Sequence, residues 1–559
     1  MKQHYIMPVG VDDFRQVREE YYYVDKTDFI KTLIDGHSKV TLITRPRRFG
    51  KTLAMSMLYY FFTMEDAENN RNLFKGCKIE AAGDKYMNYQ GSKPTIFFSL
   101  KDIKQMDFPS MIKSFSSLMQ DLYASHSYLL NGDFLNEYEQ EYFHSVITRQ
   151  AESVDLQLSL QKLTSWLHRY HKKTVLVLID EYDAPIQTAR DYGYYDEAII
   201  FMRNYLSSAL KSNPHLDFAV ITGVLRIAKE SIFSALNNLK VSSVAEGGLE
   251  TIVGFNEAEI EQIASDFGVP EKLAEIKDWY DGYNFSGHEI YNPWSVVSYF
   301  ENSCRPAPYW VNTSGNSVLH HLLKHATPKQ TKELYTLLHG GKIQTSLYES
   351  VVYKEVQTSS KSLNSVLLTT GYLTMVDYPN PSEGDSFCTM RIPNKEIRTL
   401  FKREIISHLE DMGSSIELLT GFANHLLSGQ TADFAEDLEN FMQLMASYYD
   451  TANRESFYHG LMLGLLTILI PRYEIISNRE SGYGRFDVAL LPKNDNKVGV
   501  IMEFKVAEKE DDLPQMAEIA LHQIETRDYL AEFRKRNISK VWQYGIAFCG
   551  KKCQIATKA

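Results

Sequence analysis

The sequence predicts an α/β protein that ends in a second α/β domain, with a mostly helical region between the two. Val40–Thr44 and Thr174–Glu181 are short, largely apolar runs, which are typical of strands buried in a parallel sheet. Further strand-like runs follow residue 470, and residues from about 250 to 440 show helical periodicity. Because 559 residues are too many for one hydrophobic core, we expect several domains.

The first predicted strand leads into a glycine-containing loop, Arg45–Thr52, which is followed by an apolar helical run, Leu53–Tyr60. Strand, loop and helix are the context of a P-loop, because N–H groups at the start of a helix can bind phosphate oxygens. Lys51 would reach the β- and γ-phosphates of ATP, and Thr52 would offer its hydroxyl to Mg²⁺. The candidate nucleotide-binding residues of this loop are Arg47, Arg48, Gly50, Lys51 and Thr52.

The loop departs from the general motif G-x-x-x-x-G-K-T at its first glycine, which is Arg45 here. That glycine permits a tight turn with positive φ, which is unfavourable for arginine. We therefore expect the chain to enter the loop differently, with Pro46 stiffening it.

The apolar run from Thr174 ends in two acids, Asp180 and Glu181. Ligands of parallel sheets bind at the carboxyl ends of the strands, where these acids lie. Asp180 suits the Mg²⁺ shell, and Glu181 suits polarisation of the water that attacks the γ-phosphate. The alternative is a core strand that ends in a solvated acidic turn, but the loop and the acidic pair together favour an ATPase.

Two more strand-like runs, Thr95–Ser99 and Asp217–Thr222, extend the predicted sheet. Their order resembles the ATPase branch with a catalytic glutamate, and it puts Thr222 where a γ-phosphate sensor belongs. Arg226 could neutralise charge in the transition state of hydrolysis, and a salt bridge at a helix start is the equal alternative.

Several segments resemble the AAA-ATPase-like family of bacterial proteins. They are Tyr23–Thr27, Arg45–Thr52, Thr222–Lys229, Ser231–Ser234 and Asn237-Asn238. In that family the arginine-rich loop is the usual form, so the resemblance implies ATP binding within residues 1 to about 245. Aromatic segments of the middle region resemble the same family and indicate either core packing or a lid that reports the nucleotide state. They are Trp279–Phe285, Tyr291–Ser295 and Tyr309–Ser314. A β-hairpin is also predicted there, from Leu373–Val376 and Cys388–Ile392.

The last part of the chain begins with the apolar segment Leu461–Ile470, which predicts a buried helix. Four strand-like runs and one helix follow it. The strand-like runs are Tyr473–Ser477, Arg485–Leu491, Val498–Lys505 and Val541–Cys549, and the helix, around Pro514–Leu530, precedes the last of them. Helix, three strands, helix and strand is the core order of PD-(D/E)XK nucleases.

Candidate nuclease residues lie on two neighbouring strands of this domain. Glu503 and Lys505 share one face because side chains alternate along a strand, and Asp487 can meet them there. Asp487 and Glu503 are oxygen ligands of the kind that Mg²⁺ prefers, and Lys505 would stabilise the charged transition state. A cross-strand salt bridge is the alternative interpretation of Glu503 and Lys505.

The resemblance to this superfamily implies two further site residues. Glu455 on the preceding helix resembles its additional acid, with His459 one turn later, and Gln523 matches a substrate-orienting glutamine. The usual Gln-x-x-x-Tyr spacing is not met, because Tyr529 lies six residues after Gln523, and Tyr529 is therefore not assigned.

Composition restricts the partners. The formal net charge of −12 is unlike that of a dedicated DNA binder, so nucleic acid would need a local basic patch such as Arg534–Arg536 with Lys540, for which a solvated helix end is the alternative. Five scattered cysteines form no zinc motif and fit a reducing cytoplasm. The start lacks the apolar core of a signal peptide, and the longest apolar stretch is too short for a membrane span, so we expect no membrane partner.

The predicted fold is α/β, with a P-loop ATPase domain on a parallel sheet (1–245), a mostly helical middle or lid region with a β-hairpin (246–440), and a restriction-endonuclease-like PD-(D/E)XK domain (441–559). The predicted function is ATP binding and hydrolysis coupled to a Mg²⁺-dependent nuclease that acts on nucleic acid. The alternative is a signalling or scaffold NTPase whose nuclease-like fold is catalytically silent and binds a partner. ATP and Mg²⁺ are the expected cofactors, and a homo-oligomer or a protein partner is compatible with both functions.

Overall fold

The computed structural model describes residues 5–225, 239–310, 328–338, 340–347, 360–377, 387–411, 416–445, 455–481, 484–494 and 498–559. Contacts within the chain divide it into two compact units. Unit 1 contains residues 1–314 and 344–397, and unit 2 contains residues 315–343 and 398–559. The predicted middle region is therefore shared between the two units.

A parallel five-stranded sheet lies at the centre of unit 1. Its strands are β1 (Val40–Thr44), β2 (Thr95–Ser99), β3 (Val175–Asp180), β4 (Leu216–Gly223) and β5 (Leu239–Ser242). Their order is β2-β3-β4-β1-β5, and every residue of β1 and β3 is buried. The first four strands confirm the sequence predictions, whereas β5 was not predicted.

Helices pack against this sheet and connect its strands. The helices before residue 225 are Phe14–Glu20, Asp28–Gly36, Lys51–Phe62, Ala67–Asn72, Lys78–Ala81, Asp84–Met87, Phe108–Ser125, Glu137–Ile147, Ser153–His171, Ala184–Tyr192 and Tyr195–Leu210. The helix Lys51–Phe62 packs against β2 and β3, and the helix Tyr195–Leu210 packs against β4. The loop between β1 and Lys51 therefore lies at the carboxyl ends of the parallel strands.

The rest of unit 1 is smaller and mixed. Its helices are Glu257–Asp266, Leu273–Tyr280, Pro293–Glu301 and Ser360–Thr369. Strands β6 (Tyr283–Phe285) and β7 (His288–Ile290) form a hairpin, and β8 (Ile343–Ser346), β9 (Thr374–Met375) and β10 (Phe387–Arg391) form a sheet of order β8-β10-β9. Antiparallel pairing of β9 with β10 confirms the predicted hairpin, although residues 378–386 at its turn lie outside the described residues.

Unit 2 contains a mixed five-stranded sheet, whose strands lie side by side in the same order as they follow along the chain. The strands are β11 (Tyr473–Ser481), β12 (Gly484–Pro492), β13 (Gly499–Val506), β14 (Val541–Cys549) and β15 (Lys552–Lys558). Only the β13–β14 pair is parallel. The remaining helices of the described chain are Pro328–Leu338, Lys395–Asp411, Ile416–Ser428, Thr431–Met445, Glu455–Leu465, Leu513–Thr526 and Ala531–Lys535. This order confirms the predicted helix, three strands, helix and strand, and adds the unpredicted β15.

Helices cover both faces of this second sheet. Met502 and Phe504 pack into a core with residues of the helices between Ile416 and Leu465, and Ile501 packs on the other face with Ile524. Because side chains alternate along β13, Glu503 and Lys505 lie on the face that carries the helix Leu513–Thr526. The apolar segment from residue 461 to 470 is buried, as predicted. Among the described residues, no helix combines the length and the apolar character needed to cross a membrane.

Candidate functional site

The loop after β1 encloses the side chain of Lys51. Gly50 adopts a φ of 88° immediately before the helix that begins at Lys51. The Lys51 ammonium is buried and donates hydrogen bonds to the carbonyl oxygens of Arg45 (3.0 Å) and Pro46 (2.8 Å). Burial lowers the pKa of Lys51, and the nearby carboxylates of Glu181 and Asp180 oppose that shift.

Arg45 anchors the loop in the core of unit 1. Its guanidinium is fully buried and donates hydrogen bonds to the carbonyl oxygens of Thr44 (2.9 Å), Ser242 (2.9 Å) and Leu249 (2.9 Å) and to the Ser242 hydroxyl (3.0 Å). It also lies 5.0 Å from the ring centre of Phe285. The positive φ that we expected to be a difficulty at Arg45 occurs at Arg48 instead (68°). The departure from the general motif is therefore a structural anchor.

The Asp180 carboxylate brings residues of three elements together at the end of β3. It is fully buried, and it accepts hydrogen bonds from the hydroxyls of Thr52 (2.8 Å) and of Thr222. Glu181, the next residue, has a φ of 52°, a left-handed conformation that is costly for a residue with a side chain. Burial raises the pKa of Glu181, and Lys51 opposes the rise. The predicted residues Thr52, Asp180 and Thr222 thus form one contact group beside Lys51.

A cavity of about 420 Å³ lies over the loop. Charged and apolar residues line it together: the loop residues 47–52, Asp12, Asp102, Glu181, Lys101 and Lys104, and the apolar Val11, Phe14, Leu53, Ile252 and Trp294. The cavity therefore offers both charged and apolar side chains beside the loop.

Arg47 and Arg48 of the loop contact tryptophans from the later part of unit 1. The Arg48 guanidinium lies 4.1 Å from the ring centre of Trp294. The Trp310 indole N–H donates to the carbonyl oxygen of Arg47 (3.1 Å). The predicted residue Arg226 lies outside the described residues, as do the resembling segments 226–238 and 311–314.

The predicted residues of unit 2 meet at the junction of β12 and β13. Asp487 accepts a hydrogen bond from the backbone N–H of Phe504 (2.7 Å), which places its carboxylate beside Glu503. The Glu503 carboxylate is buried, and its Oε1 accepts hydrogen bonds from the Lys505 ammonium (3.1 Å) and from the Gln523 amide. Strand alternation and helix packing therefore bring all four residues together.

Close packing of the helix Leu513–Thr526 puts Gln523 in this group. A Cβ on Gly545, which pairs with Glu503 across β13 and β14, would lie 2.2 Å from the Ala517 carbonyl oxygen, so only glycine allows this approach. Tyr529, which the sequence left unassigned, also belongs here, because its hydroxyl accepts a hydrogen bond from the Gln523 amide (3.2 Å).

Two predicted features of the preceding helix have different outcomes. Glu455 is the first residue of the helix Glu455–Leu465, and its side chain is outside the described part of the structure. His459 is buried, and its Nε2 lies 3.1 Å from the Asp487 carbonyl oxygen and 3.0 Å from the Ser477 hydroxyl. These contacts place His459 against the strands at Ser477 and Asp487.

Comparison with known proteins agrees with this geometry. Residues 8–233 match the AAA-ATPase-like family, described as a predicted AAA-ATPase, and residues 453–558 match the PD-(D/E)XK nuclease superfamily. The chain joins an AAA-ATPase-like domain to a PD-(D/E)XK nuclease-superfamily domain. A protein of Azotobacter chroococcum mcd 1, named "Uncharacterized protein in vnfD 5'region", is 25% identical over 550 residues, which cover 95% of this chain and 94% of that protein.

The donor groups of both domains fit the cofactors that were predicted. In the AAA-ATPase-like domain, a buried ammonium, helix N-terminal N–H groups and two hydroxyls on the Asp180 carboxylate suit a nucleotide phosphate with Mg²⁺. In the PD-(D/E)XK domain, the carboxylates of Asp487 and Glu503 are hard oxygen donors, which also suit Mg²⁺.

Sequence reasoning missed Asp183 and Gln187, which support the AAA-ATPase-like site, and the loop contacts of Trp294 and Trp310 were not predicted either. Asp183 carries a signal, since it is a third acid directly after Asp180, Glu181 and Tyr182. The tryptophans lie in aromatic segments for which a lid over the nucleotide was one of two interpretations, but their contacts with a loop more than 200 residues away were not predicted.

Proposed function

We propose that this protein binds and hydrolyses ATP in its AAA-ATPase-like domain and that its PD-(D/E)XK domain is a Mg²⁺-dependent nuclease acting on DNA or RNA. The observation that carries the proposal is that each domain gathers its own set of phosphate-handling side chains. Thr52, Thr222 and Asp180 are in direct contact in one domain, and Lys505, Glu503 and Gln523 are in direct contact in the other.

In the AAA-ATPase-like domain, Lys51 exchanges its contacts with loop carbonyls for the β- and γ-phosphate oxygens. Glu181 orients the attacking water, because it follows Asp180 directly and lines the same cavity as the loop. Thr222 lies beside Asp180 and senses the γ-phosphate. Mg²⁺ held at Thr52 and Asp180 supplies neutralisation of phosphate charge. Apolar side chains of the cavity lining, such as Leu53 and Ile252, contact the nucleoside.

In the PD-(D/E)XK domain, Lys505 stabilises negative charge that develops on the scissile phosphate. Gln523 orients Glu503 and the substrate, and Tyr529 fixes the Gln523 amide. Mg²⁺ held at Asp487 and Glu503 supplies activation of water and neutralisation of charge at the phosphate.

The distribution of charge supports nucleic acid as the substrate of this domain. Residues 453–558 contain 16 lysines and arginines and 14 aspartates and glutamates, so the acidic balance of the chain, −12, lies outside them. Ion pairs restrict the predicted basic patch, since Arg534 contacts Asp528 and Arg536 contacts Glu474 and Glu532. A cytoplasmic location is part of the proposal, and five free cysteines agree with it.

ATP hydrolysis is tested by steady-state phosphate release together with equilibrium ATP binding. We expect Lys51→Ala to lose binding, and Glu181→Gln to bind ATP while hydrolysing it about a hundredfold more slowly, since the water-orienting carboxylate is gone. Lys113→Ala, at an exposed position, is the control and should match wild type. ATP binding that survives in Lys51→Ala would contradict the assignment of Arg45–Thr52 as the phosphate-binding loop.

Nuclease activity is tested with labelled single- and double-stranded DNA and RNA in the presence of Mg²⁺, with and without ATP. Glu503→Ala and Lys505→Ala should abolish cleavage, whereas the exposed neighbours Glu508→Ala and Lys509→Ala should not. Cleavage that persists in both site variants contradicts the nuclease assignment. Wild-type ATP turnover without cleavage of any substrate favours the scaffold NTPase with a silent nuclease fold.

A further inference from the structure

The backbone just beyond Thr222 is held by a buried carboxylate from the neighbouring strand end. Asp183 is almost fully buried and accepts hydrogen bonds from the backbone N–H groups of Val224 (3.1 Å) and Leu225 (2.9 Å). Asp183 lies three residues after Asp180, so one short segment contacts both the Thr222 hydroxyl and the chain that follows it.

The segment 222–225 packs tightly against Tyr182 and Asp183. The Tyr182 hydroxyl donates to the Leu225 carbonyl oxygen (2.7 Å), and the Tyr182 N–H donates to the Thr222 carbonyl oxygen (3.0 Å). A Cβ on Gly223 would lie 2.6 Å from the Tyr182 ring and 2.7 Å from Asp183. The segments 180–183 and 222–225 are therefore packed closely and joined by several hydrogen bonds.

Gln187 connects Asp183 to the phosphate loop. Its amide nitrogen donates to Asp183 (2.6 Å), and its amide oxygen accepts from the Arg47 guanidinium (3.2 Å). A guanidinium can only donate and a carboxylate can only accept, so one orientation of the amide satisfies both neighbours. The amide of Gln187 therefore suits both the Arg47 guanidinium and the Asp183 carboxylate.

We propose that Gln187 and Asp183 are positioning residues for ATP hydrolysis, which tie Arg47 of the phosphate loop to the backbone that carries Thr222. The inference rests on the proposed ATPase function and extends it. In this proposal neither residue contacts the phosphates. Together they hold the Thr222 hydroxyl and the Arg47 guanidinium in one relative position, so that both reach the γ-phosphate at the same time.

The test is steady-state ATP hydrolysis by the full-length protein, with ATP binding and thermal unfolding measured on the same samples. Gln187→Met removes both polar contacts at similar length, and we expect kcat to fall about tenfold while the ATP dissociation constant stays within about threefold of wild type. Gln187→Glu keeps an acceptor for Arg47 but faces the Asp183 carboxylate, and kcat should also fall. In the double variant Gln187→Glu with Asp183→Asn, the two carboxylates no longer face each other, and part of the lost kcat should return.

Each outcome decides between the proposals. The exposed Gln150→Met is the control and should retain wild-type kcat. Wild-type kcat in both Gln187 variants, or a fall in kcat matched by an equal loss of folded protein, overturns this inference and leaves the ATPase intact. Wild-type protein that binds ATP without hydrolysing it overturns the ATPase proposal and this inference with it.

Discussion

Replacing Arg45 by glycine restores the general P-loop motif and should nevertheless destabilise unit 1. The guanidinium satisfies the carbonyl oxygens of Ser242 and Leu249 and the Ser242 hydroxyl from a fully buried position. It also packs over the ring of Phe285. The sequence motif and the structure therefore predict opposite effects for one substitution.

The magnitude follows from what the substitution leaves behind. Each buried carbonyl that loses its donor costs about 1–3 kcal/mol, and the carbonyls of Thr44, Ser242 and Leu249 are affected. Glycine adds about 0.5–1 kcal/mol in backbone entropy. The loss of a charge whose burial was itself costly offsets part of this sum. We expect a net loss of about 3–5 kcal/mol in the free energy of unfolding, which is near the upper end for a single substitution.

Thermal unfolding followed by circular dichroism measures this loss, and the midpoint should fall by about 4–6 °C. The control is Arg149→Gly, because Arg149 is exposed with a φ of 58°, a conformation in which glycine is not strained. Arg45→Lys keeps the charge but lacks the planar fork, and should be intermediate. A midpoint for Arg45→Gly within about 2 °C of wild type would refute the anchoring role.

Three further predictions concern other sites. Because the Arg48 guanidinium lies 4.1 Å from the Trp294 ring, ATP phosphates that attract Arg48 should change tryptophan fluorescence, and Trp294→Phe should remove most of that change. Burial raises the pKa of Glu396 from 4.5 to about 7, so the folded state keeps a proton that the unfolded state loses. The free energy of unfolding should therefore fall by roughly 3 kcal/mol as pH rises through that window, and Glu396→Gln should abolish this dependence in denaturant titrations. Gly545→Ala places a Cβ 2.2 Å from the Ala517 carbonyl oxygen, and should cost unit 2 about 1–3 kcal/mol or more, measured by denaturant unfolding.

Each of these has a matched control. Trp542→Phe should keep the ATP-induced fluorescence change, and an undiminished change in Trp294→Phe contradicts the contact with Arg48. The exposed Glu261→Gln should leave the pH dependence unaltered, and a dependence that persists in Glu396→Gln assigns it to other groups. Gly421→Ala, in a helix with open space around it, should be neutral or stabilising.

The elements that sequence predicted well are those whose pattern is local. β1 and β3 are buried along their whole length, so an apolar run was sufficient to predict them. β5 is only four residues long and half-buried, and β15 alternates buried residues with lysines and a glutamine, so neither had a distinct apolar run. The division into units was also beyond reach, because it depends on contacts between residues far apart in the chain.

The site residues also divide into those that a local pattern could predict and those that depend on distant parts of the chain. Short motifs were sufficient to predict that Lys51 lies near Asp180 and that Glu503 lies beside Lys505. Tyr529 was not, because the chain turns back after the helix ends at Thr526, with Asp528 at a φ of 51°, and the expected spacing assumes a continuing helix. Arg45 was missed as an anchor because its partners at Ser242 and Leu249 lie about 200 residues away.

Coupling of the two domains, which the sequence predicts, requires that ATP bound at Lys51 change the rate of cleavage at Glu503 and Lys505. The most direct measurement is the initial rate of nucleic-acid cleavage in Mg²⁺, with and without ATP, for the wild type and for Lys51→Ala. We predict that ATP changes the wild-type rate by roughly fivefold or more, and that Lys51→Ala cleaves at one rate in both conditions. A wild-type rate that is indifferent to ATP, or an ATP response that survives in Lys51→Ala, would contradict it.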